Sequence, residues 1–82
     1  MRRRSVEKIR DEIETALNAG DAKRAEALAR ESLELRPDAE GWYLLGISLD
    51  ANGEWEAGRD ALAEAVAADP GHADAHVALA EG

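Results

Sequence analysis

The chain predicts an all-α fold, a solenoid of antiparallel helix-turn-helix pairs, on three observations. Residues recur at a fixed interval: Gly20-Asp21 returns as Gly53-Glu54, Pro37 as Pro70, and Ala25, Leu28, Ala29, Ser32 and Leu33 as Gly58, Ala61, Leu62, Ala65 and Val66, every pair 33 positions apart. A period of this length is the mark of stacked helical units. Within each unit apolar residues follow helical spacing, and the breaks are only a few residues long, so consecutive helices must lie antiparallel. Strand signals are lacking: Phe is absent and no period-2 run appears.

Five helices follow in order. Residues 5–18 place Val6, Ile9, Ile13 and Leu17 on one stripe, and Gly20-Asp21 supplies a break and then an N-cap. Residues 22–35 carry small or apolar side chains at i, i+3, i+4, i+7 and i+8 from Ala25, the pattern of a face packed on a neighbour. Pro37-Asp38 stops this helix. A third helix, 39–51, presents Trp42, Leu45, Gly46 and Leu49, and ends at Asn52-Gly53, two residue types that tolerate the left-handed conformation. A fourth, 54–68, restates the second and closes at Asp69-Pro70-Gly71 as the second does at Arg36-Pro37-Asp38. A short, Ala-rich fifth helix spans 72–81.

Composition narrows the function classes. With 82 residues the chain is one small domain that must rely on tight helix packing, because it has no Cys and therefore neither disulfides nor thiolate metal sites. No apolar stretch approaches the ~20 residues that span a bilayer, and Arg2-Arg3-Arg4 leads into charged residues rather than a signal-peptide core, so a cytoplasmic protein without membrane attachment is expected. The net charge of −8 is uneven. Residues 1–36 hold nine Arg or Lys against eight Asp or Glu, whereas residues 37–82 hold Arg59 alone against ten acids. Such a surface repels phosphate backbones, which argues against nucleic acid; the acids read first as a solubilising surface, with a basic partner or a basic neighbouring module as the alternative.

The run Ala39-Glu40-Gly41-Trp42-Tyr43-Leu44-Leu45-Gly46, then Asn52-Gly53-Glu54-Trp55-Glu56-Ala57 and finally Ala68-Asp69-Pro70, resembles a tetratricopeptide repeat. The resemblance implies about two and a half repeats in a single domain over 1–82: a degenerate repeat at about 5–38, a clean one at 39–72, and a half repeat at 73–82. In the clean unit Trp42, Leu45, Gly46, Gly53, Gly58, Ala65 and Pro70 are the structural motif residues. Gly58 stands where the family usually has Ala, and Glu12 and Ile13 stand at the positions of Leu45 and Gly46, so Ile13 should hold the first helix pair further apart. In the half repeat His76 takes the place of Trp42, Leu79 of Leu45 and Ala80 of Gly46.

Candidate chemistry is sparse. His72 and His76 are four residues apart near Asp69 and Asp74, a spacing compatible with a metal, but His76 falls at a packing position and His72 at a helix start, so no metal site is assigned. The serines lack a nucleophile motif, no Gly-rich phosphate loop is present, and the acids Asp11, Glu12 and Glu14 read as a solvated helix face. No catalytic residue or cofactor is expected. Trp42 and Trp55 both fall where the family places large packing side chains.

The resemblance also implies a concave face lined by the first helix of each repeat. That face would present Arg10, Asp11, Glu14 and Asn18, then Tyr43, Leu44, Ile47 and Asp50, then Asp74, Val77, Ala78 and Glu81. Tyr43, Leu44, Ile47 and Val77 would form an apolar strip between acidic flanks, the character of an interface. Some family members grip a C-terminal carboxylate here with Lys, Asn and Arg. Arg10 fits such a role, but Glu14, Leu44, Asp74 and Ala78 stand where the other clamp groups would be, which excludes a clamp. The expectation is a non-catalytic scaffold binding an apolar peptide or helix with basic flanks through Arg10, Glu14, Tyr43, Leu44, Ile47 and Val77. The alternative is self-assembly, as a dimer or a stack, through the exposed half repeat at the C-terminal helix.

Overall fold

The computed structural model describes residues 5–81; the Arg2-Arg3-Arg4 run and Gly82, the last residue of the half repeat, lie outside them. Five helices occupy the described residues: α1 (Val6–Asn18), α2 (Ala22–Leu35), α3 (Ala39–Ala51), α4 (Trp55–Ala68) and α5 (Ala73–Glu81). Each helix packs on the next, and α3 also touches α1 and α5, so the first, third and fifth helices form one layer. The result is an elongated body of 40 × 25 × 17 Å.

The helix starts follow from capping chemistry. Ser5, Asp21 and Asp38 accept hydrogen bonds from the backbone N–H groups of Lys8, Arg24 and Gly41 at 3.1, 3.2 and 2.9 Å, each satisfying a donor that the first turn leaves orphaned. Glu54 makes no such bond before α4. At α5 a histidine takes this role, with His72 Nδ1 accepting from the Ala75 N–H at 3.1 Å.

Two kinds of helix end alternate. After α1 the Gly20 N–H bonds to Leu17 O and the Asp21 N–H to Ala16 O; after α3 the Gly53 N–H bonds to Asp50 O and the Glu54 N–H to Leu49 O. Both are paired closures around a left-handed residue, and Gly20 and Gly53 each have φ of 80°. Asn52 departs from the expectation that it shares this conformation: its φ is −90°, and its side chain instead donates to Glu26 at 3.1 Å and Glu54 at 3.2 Å. Helices α2 and α4 end before proline. Arg36 and Asp69 are both extended, with φ of −148° and −144°, because the following Pro37 and Pro70 rings disfavour helical backbone at the preceding residue.

The core is built from Ile9, Ile13 and Ala16 of α1, Ala25, Leu28 and Ala29 of α2, Leu44, Leu45 and Leu49 of α3, and Ala61 of α4, with Leu62 and Ala65 also fully buried. The α3–α4 pair is the most extensively packed, and α1–α2 less so. Gly46 and Gly58 explain the first: a Cβ on Gly46 would stand 3.1 Å from the Gly58 carbonyl oxygen, and one on Gly58 3.0 Å from that of Gly46. Ile13, the large residue in the first pair, is wholly buried.

Trp55 overturns the expectation of a packing side chain, since it is 70% exposed. It extends the buried stripe of Gly58, Ala61, Leu62 and Ala65 by one turn, but it is the first residue of α4, and α3 has already ended at Ala51. His76 is corrected likewise. It is exposed and donates from Nε2 to the Pro70 carbonyl, while Ala75 beside it is fully buried.

Candidate protein-binding groove

The α1, α3 and α5 layer carries the groove. Glu14, Leu17 and Asn18 of α1, Glu40, Tyr43, Leu44 and Ile47 of α3, and Asp74 of α5 line a cleft of about 270 Å³. Its floor is apolar and its rim acidic, because helical spacing sends Tyr43, Leu44 and Ile47 to one face of α3 while Glu14, Glu40 and Asp74 stand at its edges. The structure thereby brings together Glu14, Tyr43, Leu44 and Ile47 of the residues expected there.

Two of the expected residues have other work. Arg10 does not line the cleft: its guanidinium forms an ion pair with Asp38, which precedes α3, and its Nε donates to the buried Ser32 hydroxyl at 3.4 Å. Leu44 is only 4% exposed and belongs to the core, so it closes the floor from beneath instead of presenting a free surface. Val77 is 55% exposed on α5 and stands outside the residues that line this cleft.

The Arg10–Asp38 pair fixes the approach of α1 to α3. Asp38 holds the Arg10 guanidinium and caps α3 through the Gly41 N–H at once. Burial works to raise its carboxyl pKa, but the hydrogen bonds from Arg10 and Gly41 and the positive charges of Arg10 and Arg36 outweigh it, leaving the carboxyl below its ordinary value. A second pair, Arg36 with Glu7 at 3.0 Å, ties the end of α2 to the start of α1 at the surface.

On the α5 side, Tyr43 packs against His72 with ring centroids 5.0 Å apart. Because His72 Nδ1 accepts from Ala75, its Nε2–H is the donor to Glu40 at 2.9 Å. Burial, followed by the negative charges of Asp74, Glu40 and Glu81, raises the Tyr43 phenol above its ordinary pKa, so it remains a neutral hydrogen-bonding group on the groove floor. With both ring nitrogens of His72 engaged, its geometry is that of a helix cap. No cluster able to hold a metal ion occurs among the described residues.

A second cleft, of about 490 Å³, lies where α3, α4 and α5 meet. Ile47, Asp50, Trp55, Arg59, Ala78 and Glu81 line it. Ile47 also lines the first cleft, so the two adjoin at that side chain. Trp55 was missed as a groove residue because its place in the repeat implied packing; what marked it in the sequence was the small Ala78 at the position that Leu44 fills one repeat earlier.

No helix among the described residues is long and apolar enough to cross a membrane. The family model for the tetratricopeptide repeat matches residues 10–73 and again 43–81. No curated protein and no solved structure matches the chain.

Proposed function

The chain belongs to the tetratricopeptide-repeat family, whose repeats generally mediate protein–protein interaction and typically serve as non-catalytic scaffolds, and we propose that it captures a segment of a partner protein in the groove of α1, α3 and α5. The observation that carries this reading is the cleft itself: an apolar floor of Leu17, Tyr43 and Ile47 bordered by Glu14, Glu40 and Asp74. The segment it suits is an apolar peptide or helix with basic flanks, since acidic rims steer and orient cationic partners. Nucleic acid and membrane surfaces, both rich in phosphate, are disfavoured by the same acids.

Selection from a random peptide library against the immobilised chain tests this. Enriched peptides should be apolar with flanking Arg or Lys, should lose affinity as salt rises, and should not enrich on Ile47→Glu. Acidic peptides, or peptides indifferent to Ile47→Glu, would contradict it.

A second reading, self-assembly, is favoured by one observation: of the nine residues of α5 only Ala75 is buried, while Val77 is 55% exposed. Docking of α5 on a second copy predicts a mass above 8.8 kDa in light scattering that falls on dilution. A mass of 8.8 kDa at every concentration overturns it.

A further inference from the structure

The repeat departs from itself at the α3–α4–α5 junction. Counting back one repeat, 33 positions in α3 and α4 and 34 in α5, Asp50 corresponds to Leu17, Trp55 to Ala22, Arg59 to Glu26 and Ala78 to Leu44. In the earlier junction Leu17 and Leu44 pack on the core and Glu26 accepts a hydrogen bond from Asn52, so its polar group is engaged. In the later one a leucine has become Ala78 and another Asp50, which opens the cleft of about 490 Å³ and places a carboxylate in its wall. The exchange of Ala22 for Trp55 adds an indole that is 70% exposed.

We propose that this cleft receives an arginine side chain of the bound segment, its guanidinium stacked on Trp55 and paired with Asp50 and Glu81. This rests on the groove reading above: the two clefts adjoin at Ile47, so one bound segment could contact both. Ile47 and Ala78 offer an apolar path for the aliphatic stem, and the indole face attracts a cation. Two carboxylates against the single Arg59 leave the cleft net negative, a match for one cation. Arginine fits better than lysine: its planar guanidinium is more weakly hydrated, stacks on aromatic faces, and pairs with carboxylates through a fork of donors. Gly58 leaves room for the Asp50 carboxylate, which a Cβ there would overlap.

The test is a titration of the ¹⁵N-labelled full chain with N-acetylarginine amide, reading the indole N–H signals of Trp55 and Trp42. The expected result is a saturable shift at Trp55 with Trp42 unmoved. N-acetylcitrulline amide, which keeps the shape but carries no charge, should bind about fivefold more weakly. The Asp50→Asn, Glu81→Gln double variant should lose about as much while retaining its circular dichroism spectrum. No saturable shift at Trp55, or equal binding of the citrulline compound, overturns the inference. If library peptides still depend on Ile47 in that case, the groove reading stands and only the arginine site falls; if that dependence is lost too, both fall.

Discussion

Gly46 and Gly58 face each other across the α3–α4 crossing, so close that a Cβ on either would lie within 3.1 Å of the other's carbonyl oxygen. The two glycines sacrifice helix propensity, about 1 kcal/mol each relative to Ala, and in return let Leu62 seat fully in the core. This contact sets the spacing between α4 and α3, the helix that carries Tyr43 and Ile47 of the groove floor.

The two positions should respond unequally to alanine. On Gly46 a Cβ would stand 2.6 and 2.8 Å from Cγ and Cδ2 of the fully buried Leu62, and overpacking of this kind costs about 1–3 kcal/mol. On Gly58 the side chain it meets first is the Asp50 carboxylate, which has room to swing into its cleft. Urea unfolding should therefore show Gly46→Ala destabilised by about 1–2 kcal/mol after the propensity gain, and Gly58→Ala by less.

Gly53 gives a cleaner conformational test. Its φ is 80° and nothing lies within 4 Å of a built Cβ, so Gly53→Ala meets only the backbone strain of the left-handed region. The expected loss is about 1 kcal/mol in chemical denaturation, with a smaller loss for Gly53→Asn.

Asp38 makes stability depend on acid pH. Its carboxyl titrates below the ordinary 3.8 in the folded chain. The stabilisation it supplies is therefore complete above that ordinary value and is lost as pH falls through the lower folded one. Asp38→Asn keeps a capping side chain but loses the charge that holds Arg10. The variant should be less stable at pH 7 by about 0.5–1 kcal/mol, and the gap from the parent should close below about pH 3.8. Denaturation midpoints measured across pH 2–7 check this.

Leu44 and Ile47 separate folding from binding. Leu44 is 4% exposed and Ile47 half-buried. Leu44→Glu should lose about 3 kcal/mol or more by burying a charge in the core, visible as lost helical circular dichroism. Ile47→Glu should stay folded and weaken a selected peptide by about tenfold or more.

The helices were legible in the sequence because each carries its own punctuation. Asp21 announces a helix start by capping chemistry, and Pro37 and Pro70 force extended residues before them. These are local effects within a few residues of chain. The candidate site was legible only where one helix determines it, as with Tyr43 and Ile47 on α3. The family resemblance puts Arg10 on the groove, but its engagement with Asp38 spans 28 residues of sequence and depends on how α1 meets α3. Trp55 failed for a similar reason: whether a side chain at the first turn of α4 is covered depends on what α5 sets beside it, and the small Ala78 lies on that other helix. Leu44 sits on the groove-lining helix, yet its burial arises from packing between helix pairs.

The most direct test of groove capture is chemical-shift mapping of a library-selected peptide on the ¹⁵N-labelled chain. The largest shifts should fall on Glu14, Tyr43, Ile47 and Asp74. Shifts confined to the opposite face, at Ala57, Asp60 and Glu64 beside Trp42, would contradict it.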